Sequence, residues 1–507
     1  MPPERNENLT ETPLPKKQLL TLCLVRLAEP INYTILFPFM YRMVKGMNVG
    51  ESDEDVSSYA GLIAASFAIA QFFSGVPWGW LSDRIGRKPV ILMGLIGSTV
   101  GIIMFGLSRS FTMAIISRSI AGILNGNIGV IKSLLAEITD KSNRAKAFSL
   151  LPLVWGVGSV VGPLLGGLLS EPATQYPSVF GNNATMIKFP YLLPCLIGSC
   201  ISLAGSIFGL FFLEETLEAK VLKTKQAKLE SSATLGEAKI ADHECEKNLE
   251  IVGKEPPSDS KAGDFELNHP KPKPSLRSSL TKSVHVVVLS YVLFSLQNVT
   301  WDELYNLWTA APIDHYGLGL DQAKISITLA IVGILTPIVQ LLLYPRLQRR
   351  FGDLSCYRVV LFVYIPFYIF QPFVADLARY GEQFKESNLT GYNWVRVGVW
   401  CGVGLCLITK VICSPICFTA TSILLTDVCE NTEALGTVNG YSQAMVSLTR
   451  AVGPAMGGVL LTVSMKSTLP FPLNSHLVWN VLALIALITW VESYWVKSVL
   501  KKSVNER

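Results

Sequence analysis

Charge is what this sequence lacks most. Asp, Glu, Lys and Arg make up 16% of its 507 residues, against about 25% in an ordinary soluble domain, which excludes a conventional water-exposed globule. Histidine is nearly absent: there are five, and none lies in the middle of an apolar stretch, His285 standing at the start of one. A bare zinc site needs converging His, Cys or carboxylate ligands, and only His243 and Cys245 stand close together, in a polar segment where they amount to an incidental contact. Ten cysteines show neither a disulfide framework nor zinc spacing. Cys413 and Cys417, at i, i+4 in an apolar stretch, read as small hydrophobes that pack. No G-x-x-x-x-G-K-[ST] sequence occurs, which excludes ATP-driven pumping, and no nucleophile–base motif suggests an enzyme. The net charge of +5 calls for no nucleic acid; the placement of the charges matters more.

What the chain has instead is hydrophobic length. Half of the residues are apolar, in recurring runs of about 20 residues, the length that crosses a bilayer as a helix. Twelve spans are expected, at 19–44, 58–82, 89–107, 113–136, 148–170, 189–213, 284–311, 325–345, 358–375, 396–426, 436–464 and 476–496. No small-residue cleavage site follows the first, so it reads as an uncleaved span. The predicted fold is therefore all-α and polytopic: a tail (1–18), a six-helix half (19–213), a linker (214–282), a second half (283–496) and a tail (497–507). The linker is rich in Lys, Glu, Ser and Pro with Phe265 its single aromatic, a composition expected to stay disordered.

The short loops orient the bundle. Arg84, Arg87 and Lys88 follow span 2, Lys141, Arg144 and Lys146 follow span 4, and Arg346, Arg349 and Arg350 follow span 8, while the first opposite loop is acidic (Glu51, Asp53, Glu54, Asp55). The positive-inside rule puts both termini and the linker in the cytosol, in the plasma membrane or the vacuolar membrane. Of the Asn-x-Ser/Thr sequons, Asn183 and Asn388 fall on the far side, where glycosylation occurs; Asn298 and Asn8 do not.

Internal repetition supports two halves. GSVVGPLLGG (158–167) in span 5 is matched by TRAVGPAMGG (449–458) in span 11, and PRLQRRFG (345–352) is a degraded echo of GWLSDRIGRK (79–88). Parallel six-helix repeats are a transporter pattern. Residues 79–88 match G-x-L-[AS]-D-R-x-G-R-[KR], Arg118 to Gly122 match R-x-x-x-G, and 158–167 match G-x-x-x-G-P-x-x-G-G. On these motifs the chain resembles the major facilitator superfamily, and its drug/proton antiporters in particular. ArgLeuAlaGluPro (26–30), with the second GPxxGG, is most similar to fungal members related to the plant zinc-induced facilitator-like group. The resemblance implies a gating role for Gly79, Asp83, Arg84, Gly86, Arg87 and Lys88. It implies proton coupling at Arg118 and a hinge or seal at Gly158, Gly162, Pro163, Gly166 and Gly167 that favours exchange over leakage.

Physical chemistry gives each motif a plainer reading as well. The basic loop residues are topology determinants at lipid headgroups, but Asp83 can also accept hydrogen bonds from arginines or a neighbouring helix N-terminus, latching the halves in one state. The span 5 glycines allow close helix packing, and Pro163 distorts the hydrogen-bond ladder.

Charges inside spans are few, and each costs at least about 2.5–3.5 kcal/mol if it faces lipid. They are Arg26 and Glu29 (span 1), Arg118 and Lys132 (span 4), Asp302 and Glu303 (span 7), Lys410 (span 10) and Arg450 (span 11); the resemblance implies that spans 1, 4, 7 and 10 line a central cavity. Arg26 and Glu29 read either as a self-neutralising pair or, beside the helix-loosening Pro30, as a switchable one. Glu29 is the expected titrating group, with Arg118 and Arg26 as its tuning charges. Lys132 is expected to snorkel to the interface, Asp302 and Glu303 to be wetted at a mouth, Lys410 to pair with a span 11 carbonyl or meet substrate, and Arg450 to brace the two halves. Asn32, Gln71, Asn125, Asn127, Asn298, Gln340 and Gln443 are candidate cavity hydrogen bonders; Trp155, Trp301, Tyr305 and Trp308 are candidate stacking groups.

The reading is a monomeric, proton-coupled secondary transporter that exports a small organic solute, drug or secondary metabolite, with no cofactor and no metal site; its partners are substrate, protons and the lipid bilayer. A transporter of a metal chelate or a cation, and a transporter-like receptor or scaffold without flux, stand as alternatives.

Overall fold

The computed structural model describes residues 12–49, 53–140, 142–217, 279–320, 322–382, 389–429, 434–466 and 470–505. Nearly all of the linker, and with it His243 and Cys245, lies outside these residues, as do Asn8, Asn388 and Lys141.

Among the described residues, twelve helices are long and apolar enough to cross a membrane: α1 (Lys16–Gly46), α2 (Tyr59–Ile85), α3 (Arg87–Gly106), α4 (Phe111–Glu137), α5 (Arg144–Leu169), α6 (Leu192–Phe212), α7 (Lys282–Ala310), α8 (Ile327–Phe351), α9 (Asp353–Glu382), α10 (Asn393–Asp427), α11 (Leu435–Met465) and α12 (Leu477–Leu500). No strand occurs among the described residues. Most of the expected spans reappear with longer ends, α9 by several residues at each, because hydrogen-bonded turns continue past the apolar stretch that composition detects. The even number of spans puts the start of α1, the end of α12 and the ends of α2, α4, α8 and α10 at one end of the bundle, here called the terminal end.

Besides a short turn at Ser149 near the start of α5, three of the described helices are interrupted where backbone groups must be re-satisfied inside a membrane. In α1 helical hydrogen bonding runs through Pro30 to Thr34 and breaks only at Ile35 and Leu36, later than the proline alone suggests. The Thr34 hydroxyl donates to the Pro30 carbonyl at 2.8 Å and to Gly158 of α5 at 3.1 Å. In α4 the helix parts at Asn125 and Gly126. There α2 supplies the missing donors: Ser74 Oγ, Trp78 Nε1 and Gln71 Nε2 bond the carbonyls of Gly122, Ile123 and Asn125 at 3.2, 2.6 and 3.2 Å. Gln71, expected in the cavity, is thus consumed by a helix break, since its spacing from Ser74 and Trp78 puts all three on the face towards α4. In α8 a π-helical stretch, Val339–Leu343, follows Pro337, and Gln340 turns inward to donate to Thr419 Oγ1 of α10 at 2.6 Å.

The halves repeat one packing rule. Gly158, Gly162 and Gly166 of α5 lie against Pro30, Ile31, Thr34 and Ile35 of α1, so the motif stripe lets two backbones touch. In the second half Gly453 and Gly457 of α11 lie against Val299 and Thr300 of α7, with Thr300 Oγ1 donating to the Gly453 carbonyl at 3.3 Å. Gly167 and Gly458 face open space or ordinary contact, so the last motif glycine has no tight neighbour.

Candidate functional site: a sealed terminal end above a basic cavity

At the terminal end the two halves are joined by Asp83. Its carboxylate accepts the backbone N–H groups of Gly436 (2.9 Å) and Thr437 (2.6 Å) and the Thr437 hydroxyl (2.5 Å), in the first turn of α11. Those are donors that a helix N-terminus leaves without intrahelical partners, at the positive end of the helix dipole. Arg87, fully buried, donates to Asp83 Oδ1 at 2.5 Å and to Glu137 of α4 at 2.8 Å. Glu215 in turn bonds the backbone N–H of Arg87 at 2.8 Å. Gly86 has φ +101°, a conformation that L side chains rarely adopt. Gly79 serves a different purpose: α2 approaches α11 so closely that a side chain there would meet the Gly436 carbonyl and the Gly440 Cα. Arg84 lies over the Trp80 ring at 3.9 Å, and Lys88 is half-buried; neither belongs to the latch. A second link, Arg144 to Asp427 of α10 at 2.7 Å, also crosses between the halves, as does Asn439 to Ser133 at 3.0 Å.

The helix N-terminus that Asp83 caps was foreseen in kind, but Thr437, Glu137 and Glu215 were not. Glu137 ends its helix at a predicted boundary, and no local pattern pairs residue 83 with residue 437. The degraded echo explains the asymmetry: opposite Asp83 in register stands Arg349, which cannot accept hydrogen bonds from a helix N-terminus.

Beneath the seal lies a cavity of about 250 Å3 between the halves, lined by α1, α4, α5, α7, α10 and α11. Three cations reach its wall, Arg26, Lys132 and Arg450, with one carboxylate, Asp302. Arg26 and Glu29, both buried, form an ion pair. Asp302 pairs with Lys410 at 2.7 Å, and Lys410 also donates to the Asn298 carbonyl of α7 at 3.2 Å, not to a span 11 carbonyl as expected. Asn298 lines the cavity between Asp302 (3.2 Å) and Ser414 (2.8 Å), whereas Glu303 is half-buried outside the lining.

Lys132 does not snorkel. It is 6% exposed, with its ammonium 3.2 Å from the Tyr291 hydroxyl of the other half, because the break in α4 turns the second segment inward. Arg450 does less bracing than expected: it lines the cavity and bonds Ser447 at 3.3 Å, and Ser447 is what crosses to Gln71, at 2.8 Å. Of the four candidate stacking rings only Trp155 reaches the cavity, 5.9 Å from the Arg26 guanidinium. Trp301, Tyr305 and Trp308 are buried against Gln371, Thr328 and Trp479 instead. Gln443 is on the wall.

A smaller chamber of about 20 Å3 lies deeper in the first half, lined by Glu29, Asn32, Ser98, Asn125 and Arg118 among others. Arg118 is buried with its guanidinium 4.4 Å over the Phe67 ring and its Nε without a hydrogen-bond partner. It shares a chamber with Glu29 but not an ion pair; Arg26, one turn away on α1, holds that carboxylate. Asn32 donates to Ser202 of α6 at 2.5 Å, and Asn127 is buried at the start of the second α4 segment. Glu492 of α12, near the expected end of its span, is a further buried carboxyl, 3% exposed.

Residues 22–454 match the family model described as Major Facilitator Superfamily. The chain belongs to that superfamily. It is 31% identical over 97% of its length to the major facilitator superfamily multidrug transporter mfsB of Aspergillus fumigatus, covering 85% of that protein. It is 30% identical over 89% of its length to protein zinc induced facilitator-like 1 of Arabidopsis thaliana, covering 84% of it. Among solved structures, the human organic anion transporter MFSD10 superposes with a TM-score of 0.62 at 18% identity, over 95% of this chain and 100% of that one, a likeness of fold. This facilitator is thus a multi-pass membrane transporter of a small molecule and not an enzyme.

Proposed function

We propose that this facilitator is a proton-coupled antiporter that exports a small organic solute by alternating access, as a monomer, with both termini in the cytosol and in the plasma or vacuolar membrane. The observation that carries the reading is the Arg26–Glu29 pair, which stands on the wall between the two chambers: Arg26 lines the central cavity and Glu29 lines the Arg118 chamber. A carboxylate in a low-dielectric site binds a proton when its counter-charge is drawn away, and releases it when the counter-charge returns. Protonation of Glu29 frees Arg26 into the space that the solute takes in the central cavity; solute entering that cavity returns Arg26 to Glu29, which then gives up its proton. Solute and proton are thereby made alternatives, which is the condition for exchange. Pro30, directly after the pair, lacks the N–H that would bond the Arg26 carbonyl, and the α5 glycine stripe packs on that same turn, so a shift of α1 moves pair and stripe together.

The basic loops after α2, α4 and α8 support the orientation. A relative named for multidrug transport supports export of an organic solute. Bare zinc is the weaker reading, since no group of three metal-ligating side chains converges among the described residues. Reconstituted protein under an imposed pH gradient tests the proposal. Glu29→Gln keeps size and hydrogen bonding but cannot titrate, so it is expected to bind and exchange substrate while losing gradient-driven accumulation. Retention of full gradient dependence by Glu29→Gln, normalised to inserted protein, transfers the coupling proton to another carboxyl.

A further inference from the structure

Two of the cations on the cavity wall have no carboxylate. Arg26 is neutralised by Glu29, and the wall's one acidic group, Asp302, is neutralised by Lys410. Lys132 and Arg450 remain, and among the described residues neither has an ion-pair partner. Lys132 is more than nine-tenths buried, and its only hydrogen bond among the described residues goes to the neutral Tyr291 hydroxyl. Arg450 donates to the Ser447 hydroxyl, and its Nε, buried, has no acceptor. A buried charge without a counter-ion is costly enough that structures rarely keep one without a use. Here Lys132, buried, and Arg450, half-buried, come from opposite halves of the molecule and face one space between them, and nothing in the latch or in the Arg26–Glu29 pair requires either of them.

We infer that the transported solute is an organic anion, whose carboxylate, phosphate or sulfonate group is held between Lys132 of the first half and Arg450 of the second. The inference rests on the transporter reading above and names the substrate class of the same cavity. The geometry divides the work. Lysine supplies a compact ammonium with two unused donors, and arginine supplies a fork suited to two oxygens of one acid group. Much of the rest of the wall is apolar and aromatic, with Ile128, Ile131, Phe148, Trp155, Phe418 and Val446, interspersed with uncharged polar groups such as Ser295, Thr419 and Gln443, so the anionic group is carried on a ring or chain of modest size. Binding the anion from both sides draws the halves together, and it relieves the repulsion between Lys132, Arg450 and Arg26 that an empty cavity leaves standing. An organic cation gains nothing here, because the single carboxylate on the wall already has its partner.

A charge series on one body tests this without any variant. Wild-type protein in detergent is titrated with 3-phenylpropionate, 3-phenylpropionamide and 3-phenylpropylammonium by thermal shift, and the radiolabelled forms are followed by counterflow in proteoliposomes at equal pH on both sides. The expected result is that the carboxylate binds and exchanges at least ten-fold better than the amide and that the ammonium does not compete. Lys132→Gln and Arg450→Gln are each expected to remove most of the preference for the carboxylate over the amide, and Lys132→Arg to restore it. No measurable binding of the carboxylate, equal or tighter binding of the ammonium, or an unchanged preference in either folded glutamine variant overturns the inference. Counterflow needs no proton gradient. Anion exchange that ignores an imposed pH gradient therefore sinks the antiport reading alone, whereas gradient-driven flux of the ammonium only sinks the anion inference alone.

Discussion

Asp83 of α2 accepts the backbone N–H of Thr437 of α11 at 2.6 Å, across 354 residues of sequence. One carboxylate thereby ties α2 of the first half to α11 of the second, because the donors it takes are those that the start of a helix cannot satisfy by itself.

Replacing Asp83 by Asn removes the charge from these bonds and from the contact with Arg87. Charged hydrogen bonds are worth about 1.5–3 kcal/mol each, so losing even one of them shifts the closed-to-open ratio by about ten-fold or more. Asp83→Asn is expected to insert normally and to transport at a small fraction of the wild-type rate; surface labelling alongside initial-rate flux checks it. Wild-type flux at normal surface density would leave the loop with a topological role only.

Glycines of one motif are expected to differ sharply in tolerance. A Cβ at Gly162 meets the Ile31 carbonyl at 2.9 Å, whereas at Gly167 the nearest atom is Pro38 Cβ at 3.9 Å. Gly162→Val should abolish uphill transport or folding, and Gly167→Ala should retain most activity. Equal losses in both would point to a requirement for helix flexibility in place of close packing.

The carboxyl of Asp140, in the loop after α4, is held down to about 2, chiefly by hydrogen bonds from the Ser142 and Thr12 side chains. A depressed value means that the ionised tether is present above the ordinary carboxyl range and is lost only as pH falls through about 2. Asp140 therefore stays ionised from pH 5 to 8, and any pH dependence of flux in that window belongs to other groups. Asp140→Asn is expected to leave the shape of the pH–rate curve unchanged. A displaced curve would assign part of the coupling to this loop.

Sidedness is directly measurable. α6 ends and α7 begins at the terminal end, so a tag inserted near Ser258 of the linker should be reached by protease only from the cytosolic side of sealed vesicles. Asn183, exposed at the opposite end, should carry glycan, removed by Asn183→Gln with a gel shift. A protected tag would invert the orientation.

Composition and period were enough for the architecture. Apolar runs of bilayer length, a polar linker and a repeated GPxxGG determine twelve spans in two halves, because burying backbone in hydrocarbon leaves the helix as the one open solution for such a chain. The scarcity of charge also singled out Arg26, Glu29, Arg118, Asp302, Lys410 and Arg450, since a charge that costs insertion energy must be placed against protein or water. Apart from the Arg26–Glu29 pair, expected from its i, i+3 spacing and present in the structure, their partners were not legible. Lys410 meets Asp302, Lys132 turns inward to Tyr291, and Gln71 is spent on the break in α4, and these depend on helix rotations and on an interruption at Asn125 that no local periodicity encodes. Only the tertiary structure decided which charges remain uncompensated in the cavity, because compensation is a property of distances between residues far apart in the chain.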